Sequence, residues 1–200
     1  MASLTDLAIR YSSDKYYSHS YVPFYQELFA GRNVRRLLEL GIGYRDLMVP
    51  FLPADVPYVH GSSLYMWRDF FPEADIFACD IRPETLINEG RIRSMVCDQS
   101  SGNSLAEMVF EFTNGMKDGF DCIIDDGSHV TAHQIFTAEC LLPRLNTPGL
   151  YVIEDVQDPD AIFWRLMPIT RRWPIREICD PIQVRHFEKR PDDTLVVIQK

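Results

Sequence analysis

Five short apolar runs, each stopped by a glycine or an acid, constrain this chain more than any other feature. Arg36-Leu37-Leu38-Glu39-Leu40 is stopped by Gly41, and Asp75-Ile76-Phe77-Ala78-Cys79 by Asp80. Ile92 to Cys97 runs into Asp98, Phe120 to Ile124 into Asp125, and Gly149 to Ile153 into Glu154. Runs this short, bounded by turn residues and rich in β-branched groups, are those of strands buried on both faces. Amphipathic stretches separate them. Ser62 or Ser63 is positioned to cap a helix through Leu64, Met66, Trp67 and Phe70, closed by Pro72. Further helices are expected over 104–112, 131–145 and 23–29, and a last strand over Thr194 to Ile198. Strand and helix signals in alternation predict βαβ units and a mainly parallel sheet.

At 200 residues one domain is the size expectation, and 46% hydrophobic residues suffice for a real core. Residues 1–30 are expected to form a lid on that single domain, with Lys15, His19 and Tyr21 pointing inward. The net charge is -9, which disfavours a nonspecific grip on nucleic acid or anionic membrane. No run approaches the ~20 apolar residues of a membrane span, and no secretory signal precedes the first helix. The five cysteines are an odd number with no C-x-x-C pair. They read as reduced core thiols of a cytoplasmic protein.

In a parallel sheet the ligands sit beyond the carboxyl ends of the strands. The first run ends in Glu39-Leu40-Gly41-Ile42-Gly43, whose glycines allow a sharp turn close to a ligand. A dinucleotide fingerprint wants a third glycine where this chain has Asp46. Asp80 stands where a ribose-binding acid belongs, and Asp98-Gln99 can hydrogen-bond an adenine edge. The set favours a nucleoside without pyrophosphate, S-adenosylmethionine (SAM) rather than NAD. The fourth and fifth runs end in Asp125-Asp126-Gly127-Ser128-His129 and Glu154-Asp155. If those strands are neighbours, Asp126, Glu154 and Asp155 converge, and a bound cation relieves their repulsion. An all-oxygen set selects a hard metal such as Mg²⁺, and His129 is then placed to act as general base on a hydroxyl. Two other readings stand beside this one. Asp126 and Ser128 could cap the 131–145 helix with Glu154 and Asp155 solvated, or Asp126, His129 and His133 could form a two-His-one-carboxylate iron site.

These motifs resemble class I SAM-dependent methyltransferases, and more narrowly the metal-dependent sugar O-methyltransferases of macrolide biosynthesis. The resemblance rests on Ser13-Asp14-Lys15 with His19 and Tyr21, Glu39 to Gly43, Ser63 to Pro72, Asp80-Ile81, Asp98-Gln99-Ser100, Asp126 to His129, and Ile153-Glu154-Asp155. It implies a Rossmann-like α/β fold with about seven strands, one antiparallel near the C-terminus, and helices on both faces. It implies SAM on Gly41, Asp80, Asp98 and Gln99, and Mg²⁺ on Asp126, Glu154 and Asp155, with His129 as base. With the flanking motif residues, the expected cofactor set is Ser13, Lys15, Tyr21, Glu39, Gly41, Gly43, Ser63, Asp80, Asp98, Gln99 and Asp125. The implied acceptor is a small-molecule hydroxyl on a glycoside or polyol.

The chain departs from that family in a long 44–60 loop, in Val156 to Asp160, and in showing no counterpart of the macrolide enzymes' N-terminal domain, so their assembly is not expected to carry over. A methyltransferase acting on RNA or protein is the second expectation, since residues 161–200 carry eight Lys+Arg and five Asp+Glu. A SAM-binding module without catalysis is the third.

Overall fold

The computed structural model describes residues 2–171, 182–187 and 193–200. Three helices open the chain: α1 (Leu4–Arg10), α2 (Asp14–Tyr17) and α3 (Tyr21–Leu28). There follow β1 (Arg36–Leu40), α4 (Arg45–Met48), α5 (Ser62–Phe70), β2 (Asp75–Asp80), β3 (Ile92–Val96), α6 (Gly102–Phe112), β4 (Phe120–Asp125) and α7 (Thr131–Leu141). Then come β5 (Leu145–Ile153), α8 (Pro159–Thr170), β6 (Ile182–His186) and β7 (Thr194–Gln199). All seven strands form one sheet in the order β3-β2-β1-β4-β5-β7-β6. β1 to β5 pair in parallel, and β7 is antiparallel to both of its neighbours. This is the Rossmann-like sheet expected from the sequence, including its single reversed strand.

Side-chain alternation along the strands divides the core in two. Leu37, Ile124, Val152 and Val197 face one side, where Leu4, Leu7, Tyr25 and Trp67 of α1, α3 and α5 cover them. Leu38, Ile123, Tyr151 and Val196 face the other, under Met108, Leu141 and Leu166 of α6, α7 and α8. The opening helices are thus a wall of the core, with Leu4, Leu7, Ala8, Tyr21, Val22 and Tyr25 at most 2% exposed. Apolar burial of this kind contributes on the order of 1.5–3 kcal/mol per large side chain.

Some boundaries differ from the sequence reading. Neither Ser62 nor Ser63 is the cap of α5; Gly61 takes that position at φ +66°, where a side chain would be strained. α7 stops at Leu141, a short 3-10 turn over Leu142–Arg144 follows, and Leu145 already belongs to β5. Pro143 explains the stop, since its ring cannot continue a helix. The N-cap of α7 is Val130, without a side-chain cap, so Asp126 and Ser128 do not cap that helix. The 44–60 loop carries α4 and one 3-10 turn. β6 went unpredicted because its polar, charged composition is that of an edge strand. Cys179 and the basic residues Arg172, Arg176, Lys189 and Arg190 lie outside the described residues. Cys79, Cys97, Cys122 and Cys140 are free thiols, all but Cys140 buried.

Candidate active site

The carboxyl ends of β1 to β4 open into a cavity of about 530 Å³, within the range of small-molecule sites. Its glycine side is built from backbone. Gly41 and Gly43 hold φ of +90° and +74°. Asp80 Oδ2 accepts from the Ile42 and Gly43 amides at 2.9 and 3.2 Å, and Oδ1 from Arg82 N at 2.9 Å. Asp80 therefore ties the glycine turn to the end of β2. Asp98 Oδ1 accepts from the amide and hydroxyl of Ser100 at 2.9 and 2.6 Å, which hold its carboxyl below the usual range. Gln99 donates to Asp125 Oδ1 and Thr137 Oγ1, and accepts from Ser128 N at 2.6 Å. The cavity mouth is edged by Leu47, Met48 and Phe51, and by Arg82, whose guanidinium sits 4.1 Å from the Tyr44 ring centre.

Two glycines lock this side to the next. A Cβ on Gly41 would lie 2.0 Å from the Asp126 carbonyl oxygen, and one on Gly127 would lie 2.0 Å from Gln99 Oε1. The ends of β1 and β4 therefore approach more closely than a side chain allows, while the Gln99 side chain from the end of β3 fills the space beside Gly127.

The other side is a set of buried charges drawn from distant parts of the chain. Lys15, fully buried in α2, places Nζ 2.7 Å from Asp126 Oδ2, 2.8 Å from Glu154 Oε2 and 3.3 Å from Glu39 Oε1. Burial alone would depress this amine, but Asp126, Glu154 and Glu39 outweigh it and hold it far above its ordinary value. Tyr25 donates to Glu154 Oε1 at 2.5 Å, and Tyr21 to Asp155 Oδ1 at 2.6 Å. His19 stacks on Tyr21 and lies 3.0 Å from Asp193 Oδ1 and 3.5 Å from Asp155 Oδ1. Glu39 is pushed up to about 7 by burial, which Lys15 opposes.

His129 stands between the two acids that face the cavity. Its Nε2 is 3.2 Å from Asp126 Oδ1 and its Nδ1 is 3.6 Å from Asp155 Oδ2. Burial pulls the imidazole down, but the Asp126 hydrogen bond and the charges of Asp126, Asp155 and Glu154 lift it to about 9. Burial and the charge of Asp126 push Asp155 up. His129 and Asp155 also hold left-handed backbones, at φ +55° and +51°. Strain of about 1–3 kcal/mol per such residue persists where surrounding structure enforces it, and it clusters at functional sites.

A divalent cation fits this arrangement. One ligand atom each from Asp126, His129 and Asp155 lies within 4.8 Å of the others. Glu39, Asp126 and Glu154 crowd Lys15, and Asp155 adds a fourth carboxylate beside His129. The two carboxylates suit a hard cation such as Mg²⁺ or Mn²⁺.

The cavity wall includes Gly41, Gly43, Ser63, Asp80, Asp98, Gln99, Asp126, His129 and Asp155 of the sequence-selected residues. Ser13, Lys15, Tyr21, Glu39, Asp125 and Glu154 are set behind it: Lys15, Tyr21, Glu39 and Glu154 with the buried charges, and Asp125 against Gln99 and Tyr151. His133 reaches the wall, but its Nδ1 is 3.0 Å from Ser128 Oγ, and the cation group contains Asp155 in its place. Sequence reasoning missed Asp14 in the wall, Asp193 behind His19 and Tyr25 behind Glu154. Tyr25 carried a readable signal, being one helical turn beyond Tyr21.

No family model matches the chain. It is 36% identical over 157 residues to the 8-demethyl-8-alpha-L-rhamnosyl tetracenomycin-C 2'-O-methyltransferase of Streptomyces olivaceus, covering 77% of this chain and 38% of that protein. It is 35% identical over 157 residues to the mycinamicin VI 2''-O-methyltransferase of Micromonospora griseorubida, covering 76% and 36%. The structure of the MycE methyltransferase of mycinamycin biosynthesis with Mg, SAH and mycinamycin VI superposes with a TM-score of 0.71 at 25% identity, over 99% of this chain and 54% of that one. A Podospora anserina methyltransferase with SAH bound shares the fold, with a TM-score of 0.54 at 13% identity over 100% and 88%. The chain thus spans well under two thirds of the length of the curated relatives it matches. The chain has the fold of the class I methyltransferases, and over the part of them that it spans it resembles the macrolide-type sugar O-methyltransferases.

Proposed function

We propose that the chain is a SAM- and Mg²⁺-dependent O-methyltransferase acting on a hydroxyl of a glycoside or other small polyol. The observation that carries this reading is the single cavity that joins a Gly-x-Gly turn to an Asp126, His129 and Asp155 group. Gly41, Gly43, Asp80, Asp98 and Gln99 would hold SAM, whose sulfonium supplies the methyl group. Asp126 and Asp155, with Glu154 completing the set, would hold a cation that lowers the pKa of an acceptor hydroxyl. The chain's own residues do the rest. The cavity wall aligns acceptor and cofactor, which can account for much of the rate gain. The helices α1 to α3 close the site from one side and keep water from the buried charges. His129 would take the hydroxyl proton at an imidazole nitrogen once the surrounding acids no longer hold it as a cation. The names of the sugar O-methyltransferase relatives support a small-molecule acceptor, and the free thiols suit a cytoplasmic setting.

An acceptor screen with methyl-labelled SAM, run with and without Mg²⁺ on rhamnosylated and related glycosides, tests the proposal. Label transfer that stops in excess EDTA is the expected result. Full transfer in EDTA would remove the metal role, and transfer to RNA or protein alone would replace the acceptor.

A further inference from the structure

From the two thiols at the cofactor end of the cavity, we infer that Cys97 is a nucleophile and an oxidation site for small hydroperoxides, and that its oxidation and nucleoside occupancy exclude each other. The exclusion rests on the SAM reading above; the thiol chemistry does not. Cys79 near the end of β2 and Cys97 just past β3 lie on the same side of the sheet, and both line the cavity. The strands set them together. Cys79 is in register with Met95, and Cys97 N donates to Asp80 O at 2.9 Å. Each thiol precedes an acid proposed to hold the nucleoside, Asp80 and Asp98. They are only 2% and 3% exposed, so a reagent reaches them through the cavity.

Two hydrogen bonds single out Cys97. The Cys79 thiol donates to its sulfur, and so does the Ser104 hydroxyl. Ser104 Oγ in turn accepts from Asp98 N at 3.0 Å, which turns its O–H toward the sulfur. Ser104 lies in the first turn of α6, where the helix dipole favours a thiolate. The Cys79 bond holds the Cys97 thiol below its ordinary range, against burial and the charges of Asp98 and Glu107. The same bond, with burial, holds Cys79 well above its range. Burial also pushes up Cys122 and Cys140. With hydrogen peroxide, the Cys97 sulfur attacks one oxygen. An S–O bond forms, the O–O bond breaks, and water leaves with the thiol proton. Sulfur loses two electrons to the peroxide and becomes a sulfenic acid, whose added oxygen occupies space at the nucleoside end of the cavity.

The test is competitive alkylation of the native protein with iodoacetamide, each cysteine followed by peptide mass. Exposure alone ranks the half-buried Cys140 ahead of Cys97. The inference predicts Cys97 ahead of Cys140, and at least about tenfold ahead of Cys79 and Cys122. Ser104→Ala should slow Cys97 by about threefold and leave Cys140 unchanged. Hydrogen peroxide given first should block labelling of Cys97, and dithiothreitol should restore it. Oxidised methionine is not restored this way. SAH should slow labelling of Cys97 by at least about tenfold. Peroxide should weaken SAH binding by at least about tenfold in wild type but not in Cys97→Ser, each against its own untreated sample. Cys97 slower than Cys140, or labelled equally after peroxide, overturns the inference. SAH that binds without protecting Cys97 overturns the exclusion. No SAH binding by untreated protein sinks the SAM reading instead, and the alkylation order and the peroxide block then decide the thiol role alone.

Discussion

The two halves of the sheet's carboxyl edge are built on opposite plans. The half over β1, β2 and β3 is made of backbone turns held by side-chain-to-amide bonds: Asp80 grips amides at positions 42, 43 and 82, and Asp98 grips that of Ser100. The half over β4 and β5 is made of buried side chains far apart in sequence, joining Lys15 to Asp126 and Glu154, and Tyr21 to Asp155. The first plan shapes a cleft from turns whose charge, apart from Glu39 behind it, lies near the surface, as a nucleoside ligand needs. The second concentrates charge out of water, where each unit of it acts strongly, as cation binding and proton transfer need.

If the division holds, one half can be damaged without the other. Asp126→Asn should lower methyl transfer by about a thousandfold, in the range of lost acid–base or metal assistance, while SAM affinity stays within about threefold. Single-turnover assays with calorimetry check both numbers.

Gly41→Ala should break the separation itself, since its methyl would meet the Asp126 carbonyl oxygen and its φ is unfavourable for alanine. A cost on the order of 3 kcal/mol is expected, with SAM and Mn²⁺ binding impaired together. Asp80→Asn should weaken SAM by about tenfold, roughly one charge-assisted hydrogen bond, and leave Mn²⁺ affinity unchanged. An equal loss of both would contradict the two-plan description.

The smallest effect expected is away from both halves. Asp69 accepts from Tyr11 at 2.5 Å and pairs with Arg68 at 2.8 Å, pinning α1 to α5. The Arg68 hydrogen bond, aided by Tyr11, outweighs partial burial and holds this carboxyl below the ordinary range. Its stabilisation is therefore complete above the unfolded value near ~3.9 and is lost as pH falls through the lower folded one. Asp69→Asn should cost about 1 kcal/mol at pH 7, and denaturant melts should show the difference persisting to pH ~4 and shrinking below it.

The contrast between the halves also explains what the sequence disclosed. β1 to β5, the glycine turn and the acids at strand ends were legible because each is a local pattern. The apolar run fixes the strand, and the residue after it must lie at the carboxyl edge. The sequence could not show that Glu154 turns back toward Lys15 and Tyr25, or that Gln99 spends its amide on Asp125, Thr137 and Ser128. The first depends on which side of the sheet α2 and α3 pack against, the second on where α7 sets Thr137. Gly61 displaced Ser62 and Ser63 as the cap of α5 because a left-handed turn outcompeted a side-chain cap. β6 was hidden because an edge strand needs no continuous apolar run.

Anomalous diffraction from crystals grown with SAH and Mn²⁺ tests the central claim most directly. The account predicts SAH along Gly41, Asp80 and Asp98, and one manganese peak beside Asp126 and Asp155 in the same cavity. SAH outside that cavity, or a peak away from those two acids, would contradict it.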